Sequence, residues 1–169
     1  MGLEFISKAV SDGTDTSLQV TGINTDDPYF VTLFNMQTQN NNETLDFRVT
    51  KSGSPDTTSN YDRAMKYITT AHSFGNRNEE NSDHFQLIEN LLNDSGGGQG
   101  FLYLYNFNNS SEYSYWTLSV ISAVSNQRAA QVGGGIHTVD SASDGVQVFG
   151  SSSGTFVSGA SLVLYKVIP

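Results

Sequence analysis

The sequence is short of three things: cysteine, basic side chains and long apolar runs. It has no cysteine, which excludes a disulfide framework, a thiolate nucleophile and a cysteine zinc site. Only 8 lysines and arginines stand against 17 aspartates and glutamates, and the formal net charge of −9 repels phosphate backbones and anionic lipid. We therefore expect neither nucleic acid nor a membrane among its partners.

No stretch approaches the roughly 20 apolar residues that cross a bilayer, and the opening MGLEFISKAV lacks the pattern of a signal peptide. Hydrophobic residues make up only 37% of the chain, while serine, threonine, asparagine and glycine are abundant. This composition is typical of a thin β-protein with much polar surface. The length of 169 residues predicts one domain over residues 1–169.

Hydrophobic residues alternate with a period of two along most of the chain. Leu45, Phe47 and Val49 share one face of a predicted strand, with polar residues on the other. The stretch YFVTLFNM carries large apolar groups on both faces, so we expect both faces of that strand to be covered. Trp116 falls on the apolar side of another alternating run and is expected in the core.

Turn signals rich in glycine, serine, asparagine and aspartate separate these runs at short intervals. Eight or more short strands then favour one antiparallel sandwich or barrel.

Four segments carry more specific predictions. Residues 82–93 fit either a helix or a strand, and the neighbouring strands favour the strand. Residues 76–83 read as a solvated polar loop, and residues 146–167 as a C-terminal hairpin with a Gly/Ser-rich corner. The glycines at 133–135 indicate either sharp bends or close backbone contacts, within the chain or between subunits.

The sequence offers no convincing catalytic set. None of His72, His84 and His137 stands in a metal-binding pair. His137, Asp140 and a serine could be combined into a catalytic triad, but in a chain with so many serines such a combination arises by chance. We expect no catalytic residues, and no enzyme.

Two aspartate pairs could supply oxygen ligands to calcium. They are Asp12 with Asp15 and Asp26 with Asp27. Neither pair fits an EF-hand loop, and aspartates in such turns more often bond to their own backbone. The prediction is no metal and no cofactor.

Aromatic residues are plentiful, with eight tyrosines and ten phenylalanines. Such side chains fill cores, and they also anchor sugars and subunit interfaces. Four tyrosines surround one predicted hairpin, which makes that hairpin the predicted contact surface: Tyr103, Tyr105, Tyr113 and Tyr115.

The C-terminal block resembles a pattern in structural proteins of tailed bacteriophages. The matching residues are 145–149 (GVQVF), 152–156 (SSGTF), Gly159 and 164–167 (LYKV). Lys166 departs from that pattern, where glycine often follows the Leu-Tyr pair. The resemblance implies a jelly-roll-like β-sandwich, assembled as a homotrimer and displayed on the outside of the virion.

Two functions follow from this resemblance. The first is a capsid decoration (cement) protein that binds the major capsid protein or other virion proteins and stabilises the shell. The alternative is the receptor-binding tip or knob of a tail or head fibre, which would recognise host surface glycans. The resemblance transfers no catalytic residue.

Overall fold

The computed structural model describes residues 2–93, 97–124 and 127–169, and this part of the chain contains thirteen β-strands and no helix. The all-β prediction is therefore confirmed. The strands are β1 Gly2–Val10, β2 Ser17–Thr21, β3 Tyr29–Met36, β4 Glu43–Lys51, β5 Ser54–Pro55, β6 Tyr61–Thr69, β7 Phe74–Ser82, β8 Phe85–Leu91, β9 Gly98–Tyr105, β10 Ser114–Val124, β11 Gln127–His137, β12 Gly145–Gly150 and β13 Ser161–Ile168.

The strands form two antiparallel layers of unequal size. The large sheet has eight strands in the order β1-β13-β3-β9-β10-β11-β6-β7. The small sheet has the order β8-β4-β12-β2, with β5 paired to the end of β4. Among the residues that the structure describes, one bridge, between Val124 and Leu91, pairs a strand of the large sheet with a strand of the small sheet. This arrangement is a jelly-roll-like β-sandwich.

Alternating apolar residues from both sheets meet between the layers. Trp116 is 2% exposed, which confirms its predicted core position. Its ring centroid lies 5.1 Å from that of Phe47 and 5.2 Å from that of Phe85, both on the small sheet. The large sheet adds Tyr29, Val31, Leu102, Leu104, Leu162 and Leu164 to this core.

The glycines of β11 allow the large sheet to curl over the core. A Cβ on Gly135 would lie 2.6 Å from both the Asp62 carbonyl oxygen and the Phe85 ring. A Cβ on Gly133 would lie 2.4 Å from the Ala64 carbonyl oxygen. The predicted close backbone contacts are present, and they occur within the chain.

The C-terminal prediction of a hairpin is wrong. β12 pairs with β2 and β4 in the small sheet, whereas β13 pairs with β1 and β3 in the large sheet. Residues 151–160 cross between the layers, and a bridge from Phe156 to Thr38 holds the crossing. Because β12 and β13 lie in opposite layers, the apolar face of each strand packs into the core from its own side. Gly159, with φ of 86°, occupies the turn before β13.

Residues 76–83 are not the predicted loop, because most of them belong to β7 at the edge of the large sheet. Backbone pairing to β6 supports this strand although its side chains are nearly all polar. Residues 82–93 contain β8, so the strand interpretation is confirmed over the helix. A register shift in β8 buries Ile88 as well as Phe85 and Leu87.

Candidate functional site

The predicted tyrosines lie on or beside the outer face of the large sheet. Tyr105 of β9 stands directly opposite Tyr115 of β10, and the rings of Tyr103 and Tyr105 stack with centroids 6.5 Å apart. Tyr113 lies in the turn before β10 and is exposed. The fold thus places three of the four side chains on one surface, with Tyr113 beside it.

The same surface continues across three more strands. Phe5, Tyr165 and Phe30 occupy successive paired positions on β1, β13 and β3, and Phe30 is paired with Tyr103. The Phe30 centroid lies 4.9 Å from that of Tyr103 and 5.6 Å from that of Phe101. We call this surface the aromatic face: Phe5, Phe30, Phe34, Phe101, Tyr103, Tyr105, Tyr115 and Tyr165.

Much of the aromatic face is open to solvent. Five of its rings are between 37% and 62% exposed, namely Phe5, Phe34, Phe101, Tyr105 and Tyr115. With roughly 200 Å² per aromatic side chain, these five expose on the order of 500 Å². The expectation that β3 is covered on both faces is wrong for the single chain, because Phe34 is 62% exposed and no described segment forms a third layer.

The centre of this surface carries no charge. β3, β9 and β10 contain no aspartate, glutamate, lysine or arginine, although the chain as a whole has a net charge of −9. Charged side chains such as Glu4 and Lys8 belong to the edge strand β1. An apolar centre with charges at its border is typical of a protein–protein contact surface.

His137 is fully buried at the end of β11, between the two sheets. Its Nε2 lies 3.3 Å from Asp56 Oδ2 without hydrogen-bond geometry, and neither ring nitrogen has a hydrogen-bond partner among the described residues. Burial and the nearby Lys51 lower the pKa of His137 to about 4. Its acidic neighbour is Asp56, which pairs with Lys51 at 2.6 Å. Among the described residues, no ion pair joins His137 to Asp140, the aspartate of the triad considered above.

A second titratable cluster lies on the outer face of the small sheet. His84 Nδ1 is 2.6 Å from Asp83 Oδ1, and His84 Nε2 is 3.7 Å from Asp46 Oδ2. Burial raises the pKa of Asp46 to about 6, and the electrostatic influence of His84, Arg63 and Arg48 offsets part of that effect. The Arg48 guanidinium pairs with Asp83 at 3.0 Å and lies 4.5 Å from the Phe149 ring centroid.

The aspartates considered for calcium take part in local bonds. Asp12 Oδ1 accepts hydrogen bonds from the backbone and the hydroxyl of Thr14, as turn chemistry predicts. Asp27 pairs with Lys166 at 2.6 Å, and Asp26 accepts a bond from Asn109. Within the described ranges, no three histidine, aspartate or glutamate side chains are grouped to hold a metal ion.

Comparison with known proteins gives no relative: no protein family, no curated protein and no solved structure matches this chain. Among the residues that the structure describes, no helix is long and apolar enough to span a bilayer.

Proposed function

We propose that the chain is a capsid decoration protein of a tailed bacteriophage, without enzymatic activity, whose copies associate through the aromatic face. The observation that carries the proposal is that uncharged, exposed ring surface on a jelly-roll-like sandwich. The largest contiguous apolar patch on a typical monomeric protein covers about 300–600 Å² and is often functional, and the five exposed rings alone reach that range. The C-terminal resemblance supplies the virion context and the trimeric state.

A second copy of the chain is the occupant that best fits the aromatic face. Each subunit contributes about 800 Å² to a typical specific interface, and the five exposed rings alone provide more than half of that. Two chains of net charge −9 repel each other, so they can approach most closely through the surface that has no charge. The uncharged strands β3, β9 and β10 meet this requirement.

Association into a trimer would also provide the clamping action of a decoration protein. Three linked copies present three identical contact sites to the shell, so that weak individual contacts add up to firm attachment. The major capsid protein is the proposed partner on the particle. This function depends on shape and adhesion and requires no accessible catalytic side chain. The burial of His137 is compatible with such a function.

The oligomeric part of the proposal is tested with two matched phenylalanines. Phe34, on the aromatic face, is 62% exposed, and Phe74, on the edge strand β7, is 64% exposed. Light scattering after gel filtration should give about three times the 18.3 kDa chain mass for the wild type and for Phe74→Ser. Phe34→Ser should shift the population towards the monomer. A monomeric wild type, or equal effects of the two substitutions, would contradict the proposal.

The decoration role is tested on purified particles. Quantitative mass spectrometry should give hundreds of copies per virion, and electron microscopy should place the protein over the outer shell. A few copies confined to a tail or a fibre would contradict the decoration role and favour the receptor-binding alternative.

One structural feature supports the receptor-binding alternative: a polar cleft on the inner side of the large sheet.

A further inference from the structure

We propose that a cleft on the concave side of β11, β6 and β7 binds a neutral saccharide. The cleft has a volume of about 480 Å³, within the usual range for small-molecule sites. It lies where the curled end of the large sheet faces β8. Its location on the inner side of the sheet separates it from the aromatic face, and the inference goes beyond the decoration function.

The first observation is an amide that faces the cleft without a hydrogen-bond partner among the described residues. Gln131 lies on the inward side of β11, paired with Val120 of β10 and with Tyr67 of β6. The residue is 3% exposed and lines the cleft, yet its side chain makes no hydrogen bond to any described residue. Its amide oxygen and nitrogen are not fully enclosed, so the amide opens into the cleft and is available to water or to a ligand. A ligand hydroxyl in the cleft would satisfy it as donor or acceptor.

The second observation is a fixed set of groups around that amide. The Arg77 guanidinium packs 4.5 Å from the Tyr67 ring centroid and pairs with Glu89 across the space between β7 and β8. Gly75 opposite Tyr67 leaves room for this ring, since a Cβ there would lie 2.3 Å from Tyr67 Cε1. The cleft wall therefore combines an aromatic ring with planar polar groups held in place before any ligand arrives.

The charge of the wall selects the class of ligand. Arg77 and Glu89 are the two charged side chains that line the cleft, and they neutralise each other. The chain's net charge of −9 further disfavours an anion. Thr69, Gln127 and Gln131 add hydroxyl and amide groups, which a purely apolar ligand would leave unpaired. A neutral, polyhydroxylated molecule can pair with these groups through its hydroxyls.

The binding test begins with the wild-type protein on an array of neutral oligosaccharides built from hexoses, deoxyhexoses and N-acetylhexosamines. We expect saturable binding to at least one of them. The best oligosaccharide is then titrated calorimetrically against Gln131→Leu, which removes the amide and keeps the approximate volume. Gln147→Leu, on β12 of the small sheet, is the matched control. Affinity should fall at least tenfold for Gln131→Leu and less than twofold for Gln147→Leu.

A second measurement locates the bound sugar without any substitution. In ¹⁵N-labelled wild type, the side-chain amide resonances of Gln131 should shift during the titration. Absence of any binding on the array would overturn the proposal, as would equal affinities of the two leucine variants or an unmoved Gln131 amide at saturation. Loss of sugar binding in Tyr105→Ser with full binding in Gln131→Leu would assign the sugar to the aromatic face instead. None of these results depends on where the protein sits on a virion.

Discussion

Replacing Trp116 by alanine should lower the free energy of unfolding more than replacing any solvent-exposed residue of the protein. Trp116 is 2% exposed and touches rings from both layers: Phe47 and Phe85 of the small sheet, together with Tyr61 and Phe107. Removing a buried tryptophan costs about 3–5 kcal/mol through lost transfer free energy and a residual cavity. Its Nε1 has no hydrogen-bond partner among the described residues, so the substitution breaks no hydrogen bond and the expected loss comes from packing.

The upper half of that range is expected because four ring contacts are lost together. Lost aromatic pairs add about 0.5–1.5 kcal/mol each beyond area burial, although neighbouring contacts do not add fully. For a domain of this size, a change of about 4 kcal/mol lowers the melting temperature by roughly 8–16 °C. Trp116→Phe, which keeps a ring in the same place, should lose about 1–2 kcal/mol.

Urea unfolding followed by far-ultraviolet circular dichroism measures both variants, since tryptophan fluorescence is lost with the residue. Protein concentration must be equal throughout, because association stabilises the folded state by mass action. An unfolding free energy of Trp116→Ala within 1 kcal/mol of wild type, at unchanged m-value, would refute the interlayer packing described for this ring.

Two further predictions concern β11. The pKa of His137 is about 4 in the folded chain against about 6.5 unfolded, so its contribution to stability is present above pH 6.5 and is lost as pH falls towards 4. The difference in unfolding free energy between wild type and His137→Gln should therefore change with pH across that window in urea titrations, and a flat difference would contradict the assigned burial. Gly135→Ala places a methyl group 2.6 Å from the Asp62 carbonyl oxygen and the Phe85 ring, so thermal unfolding should show a loss of about 1–3 kcal/mol. Wild-type stability of Gly135→Ala would show that the curl of β11 does not need glycine there.

Local alternation was sufficient to predict individual strands. The two-residue period in β4, β9 and β10 indicates which side chains face the core, and it predicts the core position of Trp116. The β9–β10 hairpin was also predictable, because a short polar turn joins two alternating runs and their pairing is local. Three of the four tyrosines on the predicted contact surface share one face for the same reason.

Pairing between distant strands was not predictable from these patterns. Residues 146–167 read locally as a hairpin, but β12 and β13 enter different sheets because each finds a better partner far away in sequence. The larger aromatic face was missed for this reason, since Phe5 and Tyr165 join it only through the order β1-β13-β3. A polar edge strand such as β7 lacks the apolar alternation on which strand prediction depends.

The cleft around Gln131 depends even more on tertiary structure. Nothing in the sequence around β11 distinguishes an inward glutamine from an outward one until the pairing of β10, β11 and β6 is known. The Arg77–Glu89 pair joins strands from different sheets, so no short-range spacing reports it. The exposed ring surface and the cleft-facing amide of Gln131 are both properties of the assembled layers.

Hydroxyl-radical footprinting of the unmodified protein in solution tests the central claim most directly. Phe34 and Phe74 are almost equally exposed in the single chain, at 62% and 64%, so their intrinsic access to the radical is matched. If copies associate through the aromatic face, mass spectrometry will find Phe74 oxidised and Phe34 protected, with the protection lost on dilution. Equal oxidation of both rings at every concentration would show that the aromatic face is not an interface between copies.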